Sequence, residues 1–136
     1  MRRTMLVVDD DVDIVIWVVA EAKARGYHAT GTIDPRDVLA RVLESRPDVV
    51  VLDLEMGRHD GRDLLARIKA NPETAATVVI VLSGMMDPFT IALCRDYGAA
   101  DFVPKPFVLD DLFGRIERAV RTRSRRVTAP LEGGSG

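Results

Sequence analysis

The chain has 136 residues, 47% of them hydrophobic and 29% charged, with a formal net charge of -2. That size and balance suit one soluble globular domain and exclude a disordered or fibrous chain and a second full domain. The single cysteine, Cys94, excludes an internal disulfide, no His or Cys cluster has zinc spacing, and the longest apolar run, Ile14 to Ala20, falls far short of the roughly 20 residues that cross a bilayer.

The first predicted element is the apolar run "MLVVD" (5–9), and Asp9, Asp10 and Asp11 stand at its end. Carboxylates 4 Å apart repel by about 1 kcal/mol in water and about 4 at an intermediate dielectric, so a positive charge is expected beside them. The next segment, "DVDIVIWVVAEAKARGY", is rich in β-branched residues that would suit a strand. Parallel strands need a crossover of about a dozen residues, however, and only the span from Asp11 to Gly26 can supply it, so a helix is predicted. On that helix Ile14, Trp17, Val18 and Ala22 make one stripe. Val15, Ile16 and Val19 lie off the stripe and form a candidate partner surface, with deeper burial in the monomer as the alternative. Asp11 and Asp13 read as its cap and first-turn acid.

Farther along come the strand "HATGT" (28–32), the least apolar of the set, and a helix "PRDVLARVLESR" opened by Pro35 behind Asp34. The strand "VVVLD" (49–53) precedes a helix "GRDLLARIKAN" from Gly61, with Leu64, Leu65 and Ile68 at helical spacing. Strands "VVIVL" (78–82) and "DFVP" (101–104) follow, and the helix "LDDLFGRIERAVRTR" repeats Leu109, Leu112, Phe113, Ile116 and Val120. Gly26 and Gly98 read as helix ends. The alternation predicts an α/β fold, a doubly wound parallel sheet with helices on both faces. "VVVLD" and "VVIVL", apolar without alternation, belong at its centre.

The last sixteen residues hold Arg121, Arg123, Arg125 and Arg126 against Glu132 alone, which leaves residues 1–120 with 15 basic and 20 acidic side chains, a balance of -5. An acidic body argues against nucleic-acid binding. "RTRSRR" reads as the solvated end of a last helix. Residues 1–121 are taken as the domain and 122–136 as a basic and Gly/Ser-rich tail, a linker or cloning scar. With no signal pattern at the start, the chain reads as cytoplasmic and without a membrane partner.

In a doubly wound sheet the ligand site lies beyond the carboxyl ends of the strands. There the order of elements gathers Asp9 and Asp10, Asp53, Ser83 and Lys105. Neighbouring strands are about 4.8 Å apart, so the carboxylates ending the first and third come within reach of one cation. Lys105 and a hard divalent metal held by oxygen, Mg2+, supply the positive charge that Asp9 to Asp11 require.

"LVVDDD", "VVVLDLEMGRHDG", "VLSG" and "DFVPKPF" together resemble the successive signatures of the receiver domain of bacterial two-component response regulators, the chemotaxis-regulator type included. The resemblance covers residues 4 to about 121 and implies the flavodoxin-like five-stranded sheet of order 2-1-3-4-5. It further implies that Asp53 is the phosphoacceptor for a histidine kinase or histidine phosphotransfer protein. Asp10, Asp53 and the backbone carbonyl of Glu55 would ligate magnesium, with Asp9 acting through metal-bound water. Ser83 would hydrogen-bond the phosphoryl group and Lys105 neutralise it. Phe102 stands at the switch aromatic, and Lys105 to Pro106 matches the family's cis peptide. The output would be a phosphorylation-activated change on the face of helix 4, strand 5 and helix 5, read by a downstream protein or a second copy of the chain. The chain would be an enzyme only toward its own phosphorylation and dephosphorylation. Gly57 stands where the family usually has proline, so that loop should be looser; Gly84 replaces a small alanine; Glu55 and Met85 occupy positions that tune phosphoryl lifetime in the family.

Two alternatives are weighed against this. A receiver-fold scaffold acting without phosphorylation would draw on the apolar first helix. A haloacid-dehalogenase-like phosphatase would use Asp9 and Asp11 as Asp-x-Asp, but Asp13 stands where Thr or Val is expected and "DFVPKPF" has no role in it.

Overall fold

A computed structural model describes residues 2–128. In chain order it contains β1 (Thr4–Val8), α1 (Val12–Ala24), β2 (His28–Thr32), a 3-10 turn (Pro35–Asp37), α2 (Val38–Ser45), β3 (Val49–Asp53), α3 (Gly61–Ala70), β4 (Val78–Ser83), α4 (Pro88–Tyr97), β5 (Asp101–Pro104) and α5 (Leu109–Thr128). The five strands are all parallel in the order 2-1-3-4-5, the predicted doubly wound sheet. No helix among the described residues is long and apolar enough to cross a membrane.

The unbroken apolar strands follow from two covered faces, because successive side chains of a strand point to opposite sides. Met5, Val7, Val49, Val51, Ile80 and Leu82 meet Val18 and Ala22 of α1 and Phe113 and Ile116 of α5. Leu6, Val8, Val50, Leu52, Val79 and Val81 meet Val42 of α2, Leu65 and Ile68 of α3 and Cys94 of α4. Gly26 and Gly98, at φ 95° and 105°, close α1 and α4 in a backbone region that favours glycine.

Helix α1 forms as the crossover requirement predicts, but its inward face differs from the predicted stripe. Val15 and Val19 pack against the core together with Ile14, whereas Trp17 is 62% exposed. Of the candidate partner surface Val15, Ile16 and Val19, only Ile16 faces solvent, at 58% exposure. The cause lies in β2. Gly31 has no Cβ, and a Cβ there would overlap Val15 Cγ1 and lie 3.3 Å from Val19 Cγ2. The gap in the strand lets α1 settle with these two valines against the sheet, which turns Trp17 outward.

Two further segments gain detail that the sequence does not carry. The loop after β3, expected to be loose at Gly57, is closed as a small hairpin in which Glu55–Met56 pairs antiparallel with His59–Asp60. Gly57, at φ 60°, takes the first central position of its two-residue turn, a conformation that proline cannot adopt. Helix α5 runs on through "RTRSRR", the stretch read as the end of a last helix, to Thr128. Its Arg123 donates to the Asp48 carboxylate at 3.2 Å and to the Asp48 carbonyl at 3.3 Å, and the same carboxylate accepts from the Thr4 amide at 2.9 Å, so this turn is tied to the start of β1. Burial would raise the Asp48 pKa, but the Thr4 amide and the Arg123 guanidinium outweigh it and hold it below the ordinary carboxylate value. Residues 129–136, including "LEGGSG", and the side chains of Arg125 and Arg126 lie outside the described residues.

Candidate functional site

Parallel strands end at one edge, so the residues that terminate them meet there. Asp9 follows β1, Asp53 closes β3, Ser83 closes β4 and Lys105 follows β5. Asp53 is in register with Leu82, and Ser83 with Pro104, which sets the four at one level. The Lys105–Pro106 peptide is cis.

Asp9 and Asp53 are fully buried. The Lys105 ammonium lies 2.9 Å from Asp9 Oδ2 and 3.2 Å from Asp53 Oδ1. Asp9 Oδ1 accepts from the Asp11 amide at 2.9 Å, and Asp53 Oδ1 accepts from the Glu55 amide at 3.1 Å. Asp9 Oδ2 meets the ammonium as an ion pair without hydrogen-bond geometry, and Asp53 Oδ2 has no hydrogen-bond partner among the described residues. One ammonium thus faces two buried carboxylates. Burial first, and then the Asp9 charge, push the Asp53 carboxyl up to about 7 against the pull of the Glu55 amide and Lys105. Burial alone would lower Lys105; the close Asp9 carboxylate first, and then that of Asp53, outweigh it and raise its pKa.

Asp10 is exposed at the rim, and Asp9, Asp10 and Asp53 each offer a carboxylate oxygen within 4.8 Å of the others. An oxygen-only set with an unpartnered buried anion could hold a hard divalent cation. Asp11 is committed elsewhere: it N-caps α1, accepting from the amides of Asp13 at 2.9 Å and Ile14 at 3.4 Å. That removes the second carboxylate of an Asp-x-Asp pair from the site.

At the end of β4, one residue past the register partner of Asp53, Ser83 Oγ donates to Glu55 Oε2 at 2.7 Å and accepts from the Met85 amide at 2.8 Å, while the Gly84 amide donates to Glu55 Oε1 at 2.9 Å. Phe102 is buried, with the Arg95 guanidinium 5.2 Å above its ring. Arg115 donates to Asp101 and to the Phe102 carbonyl, both at 3.1 Å.

Two contributions are absent from the sequence reading. No local signal links the Glu55 side chain to a serine 28 positions away. In the sequence Gly61 marks only a helix start, yet a Cβ there would lie 2.6 Å from the Asp53 carbonyl oxygen and 2.7 Å from Leu54 Cα. Only glycine lets α3 begin against the backbone that carries Asp53.

The family model for the response regulator receiver domain matches residues 5–117. The transcriptional regulatory protein PrrA of Mycobacterium leprae is 30% identical over 94% of this chain and 54% of its own length. Among solved structures, the response regulator DrrB of Thermotoga maritima, an OmpR/PhoB homologue, is 29% identical with a TM-score of 0.80, covering 90% of this chain and 54% of that one. A CheY-like receiver domain protein of Methanospirillum hungatei superposes with a TM-score of 0.87 over 93% of this chain and 99% of its own, at 18% identity. The chain spans about half the length of the curated relatives it matches.

Proposed function

The chain belongs to the response regulator receiver domain family, and on that premise we propose that it is a phosphorylation-driven signalling switch whose phosphoacceptor is Asp53. The observation that carries this reading is the buried Asp53 carboxylate, with Oδ2 unpartnered and Oδ1 shared between the Lys105 ammonium and the Glu55 amide. An Asp53 oxygen attacks the phosphorus of a phosphohistidine on a histidine kinase or histidine phosphotransfer protein. The P–N bond breaks, the imidazole leaves with its electron pair, and Asp53 becomes an acyl phosphate. Lys105 offsets charge on the transferring oxygens, and the Ser83 hydroxyl donates to one of them.

The donor set fits Mg2+: Asp10, Asp53 and the Glu55 carbonyl would hold it directly and Asp9 through a water. When bound it supplies charge neutralisation at the phosphoryl oxygens. The chain acts in the cytoplasm on its own acyl phosphate alone, forming and hydrolysing it, and residues 1–121 carry this function. Phosphorylation adds about two negative charges beside Lys105 and Ser83. We assign the response to the α4, β5 and α5 face, where Arg95 covers Phe102 and Arg115 ties α5 to β5. A downstream protein or a second copy of the chain reads that face. The scaffold alternative is not favoured, since the groups that phosphorylation needs are gathered at the strand ends, although Ile16 and Trp17 of α1 stay exposed.

Incubation with magnesium and acetyl phosphate, followed by intact-mass measurement, tests the assignment. Wild type should gain one phosphoryl group and Asp53→Asn none. No gain in wild type, or an equal gain in Asp53→Asn, overturns it.

A further inference from the structure

The Ser83 hydroxyl that the proposed phosphoryl group needs is already occupied, and by an anion. A hydroxyl carries one proton, and Ser83 directs it to the nearer, charged acceptor, Glu55 Oε2 at 2.7 Å, rather than to the Met85 carbonyl at 3.0 Å. One of its lone pairs accepts from the Met85 amide at 2.8 Å. The neighbouring Gly84 amide is held by the second Glu55 oxygen at 2.9 Å. The Glu55 backbone is fixed in turn, since its amide donates to Asp53 and its residue pairs with Asp60 in the hairpin ladder. Two oxygens of one carboxylate therefore sit on adjacent donors beside Asp53, as two oxygens of a phosphoryl group would.

Resting on the phosphoacceptor reading above, we infer that the Glu55 side chain is an internal latch. It holds Ser83 and Gly84 in the unphosphorylated arrangement and is displaced when a phosphoryl group forms on Asp53. Like charges repel and both anions need the same hydrogens, so the two occupancies exclude each other. Release of Ser83 and Gly84 at the start of the segment leading into α4 then couples the chemistry to that helix. A Cβ at Gly84 would lie 3.6 Å from Glu55 Oε1, an ordinary contact, so the latch does not depend on glycine there.

The test is a titration of the magnesium-loaded chain with beryllofluoride, followed through the 1H–15N signals of Gly84 and Met85. Glu55→Ala should lower the half-saturation concentration by about tenfold, the scale of one charge-assisted hydrogen bond that no longer competes. Glu55→Asp keeps the charge but is one methylene too short to reach both donors, and it should shift the midpoint in the same direction. Without beryllofluoride, both variants should move the Gly84 amide signal. Equal midpoints in wild type and Glu55→Ala, or a Gly84 signal unmoved by either variant, overturn the latch and leave Asp53 standing as phosphoacceptor. Failure of every variant and of wild type to take up beryllofluoride overturns the phosphoacceptor reading and the latch with it.

Discussion

Asp53 holds a charge where burial disfavours one, and its neighbours only partly offset that cost. Its carboxyl is pushed up to about 7 in the fold, by burial first and by Asp9 second, against roughly 4 in an unfolded chain. In protein free of divalent ions the folded state therefore binds this proton more tightly than the unfolded state. The stability it contributes is fully present below about pH 4 and is lost as pH rises through about 7. Asp53→Asn keeps the shape and removes the charge. In EDTA at pH 8 it should stabilise the fold by on the order of 1–2 kcal/mol, and at pH 5 by much less. Thermal melts at the two pH values check this; an equal gain at both would rule out charge repulsion as the cause. The identities of Asp9, Asp53, Ser83 and Lys105 were legible as strand-end residues. The destination of the Glu55 carboxylate was not, because a contact across 28 residues depends on how β3 and β4 are placed side by side.

At the scale of elements, the seat of α1 on β2 decides which apolar residues are core. The helix is apolar over most of its circumference, so periodicity alone admits more than one inward face. Gly31 selects among them by opening room for Val15 and Val19. Gly31→Ala should overpack this seat and cost about 1–3 kcal/mol in denaturant unfolding. Val15→Ala in the same background should recover part of the loss, and strict additivity in that double-mutant cycle would show that the two positions do not share a seat. The end of α5 follows the same logic. Arg123 looked like part of a solvated basic tail, but the turn that carries it docks on Asp48, a residue that the sequence places 75 positions away.

For the whole molecule, the doubly wound order carries every strand end to one edge and so concentrates buried negative charge there. A ligand that relieves this charge in the folded state alone must stabilise the fold. Magnesium at a hundred times its dissociation constant should add about 2.7 kcal/mol to unfolding stability, seen as a rise in the thermal midpoint that Asp10→Asn reduces. No rise in wild type would remove the cation from the site. The same edge borders α4 and α5, and that adjacency allows a local charge change to reach an exterior face without crossing the core.

By itself the sequence determined the five strands, their parallel sense and the polar residues at their ends, whereas the strand order came with the family resemblance. Unbroken apolar runs require two covered faces, and helical spans between short runs supply the crossovers that parallel neighbours need. Tertiary structure alone decided the inward face of α1, the closure of the hairpin at Gly57, the reach of α5 and the hold of Glu55 on Ser83. Each of these depends on room left by a glycine or on a hydrogen-bond partner distant in the chain, and neither leaves a periodic trace along it.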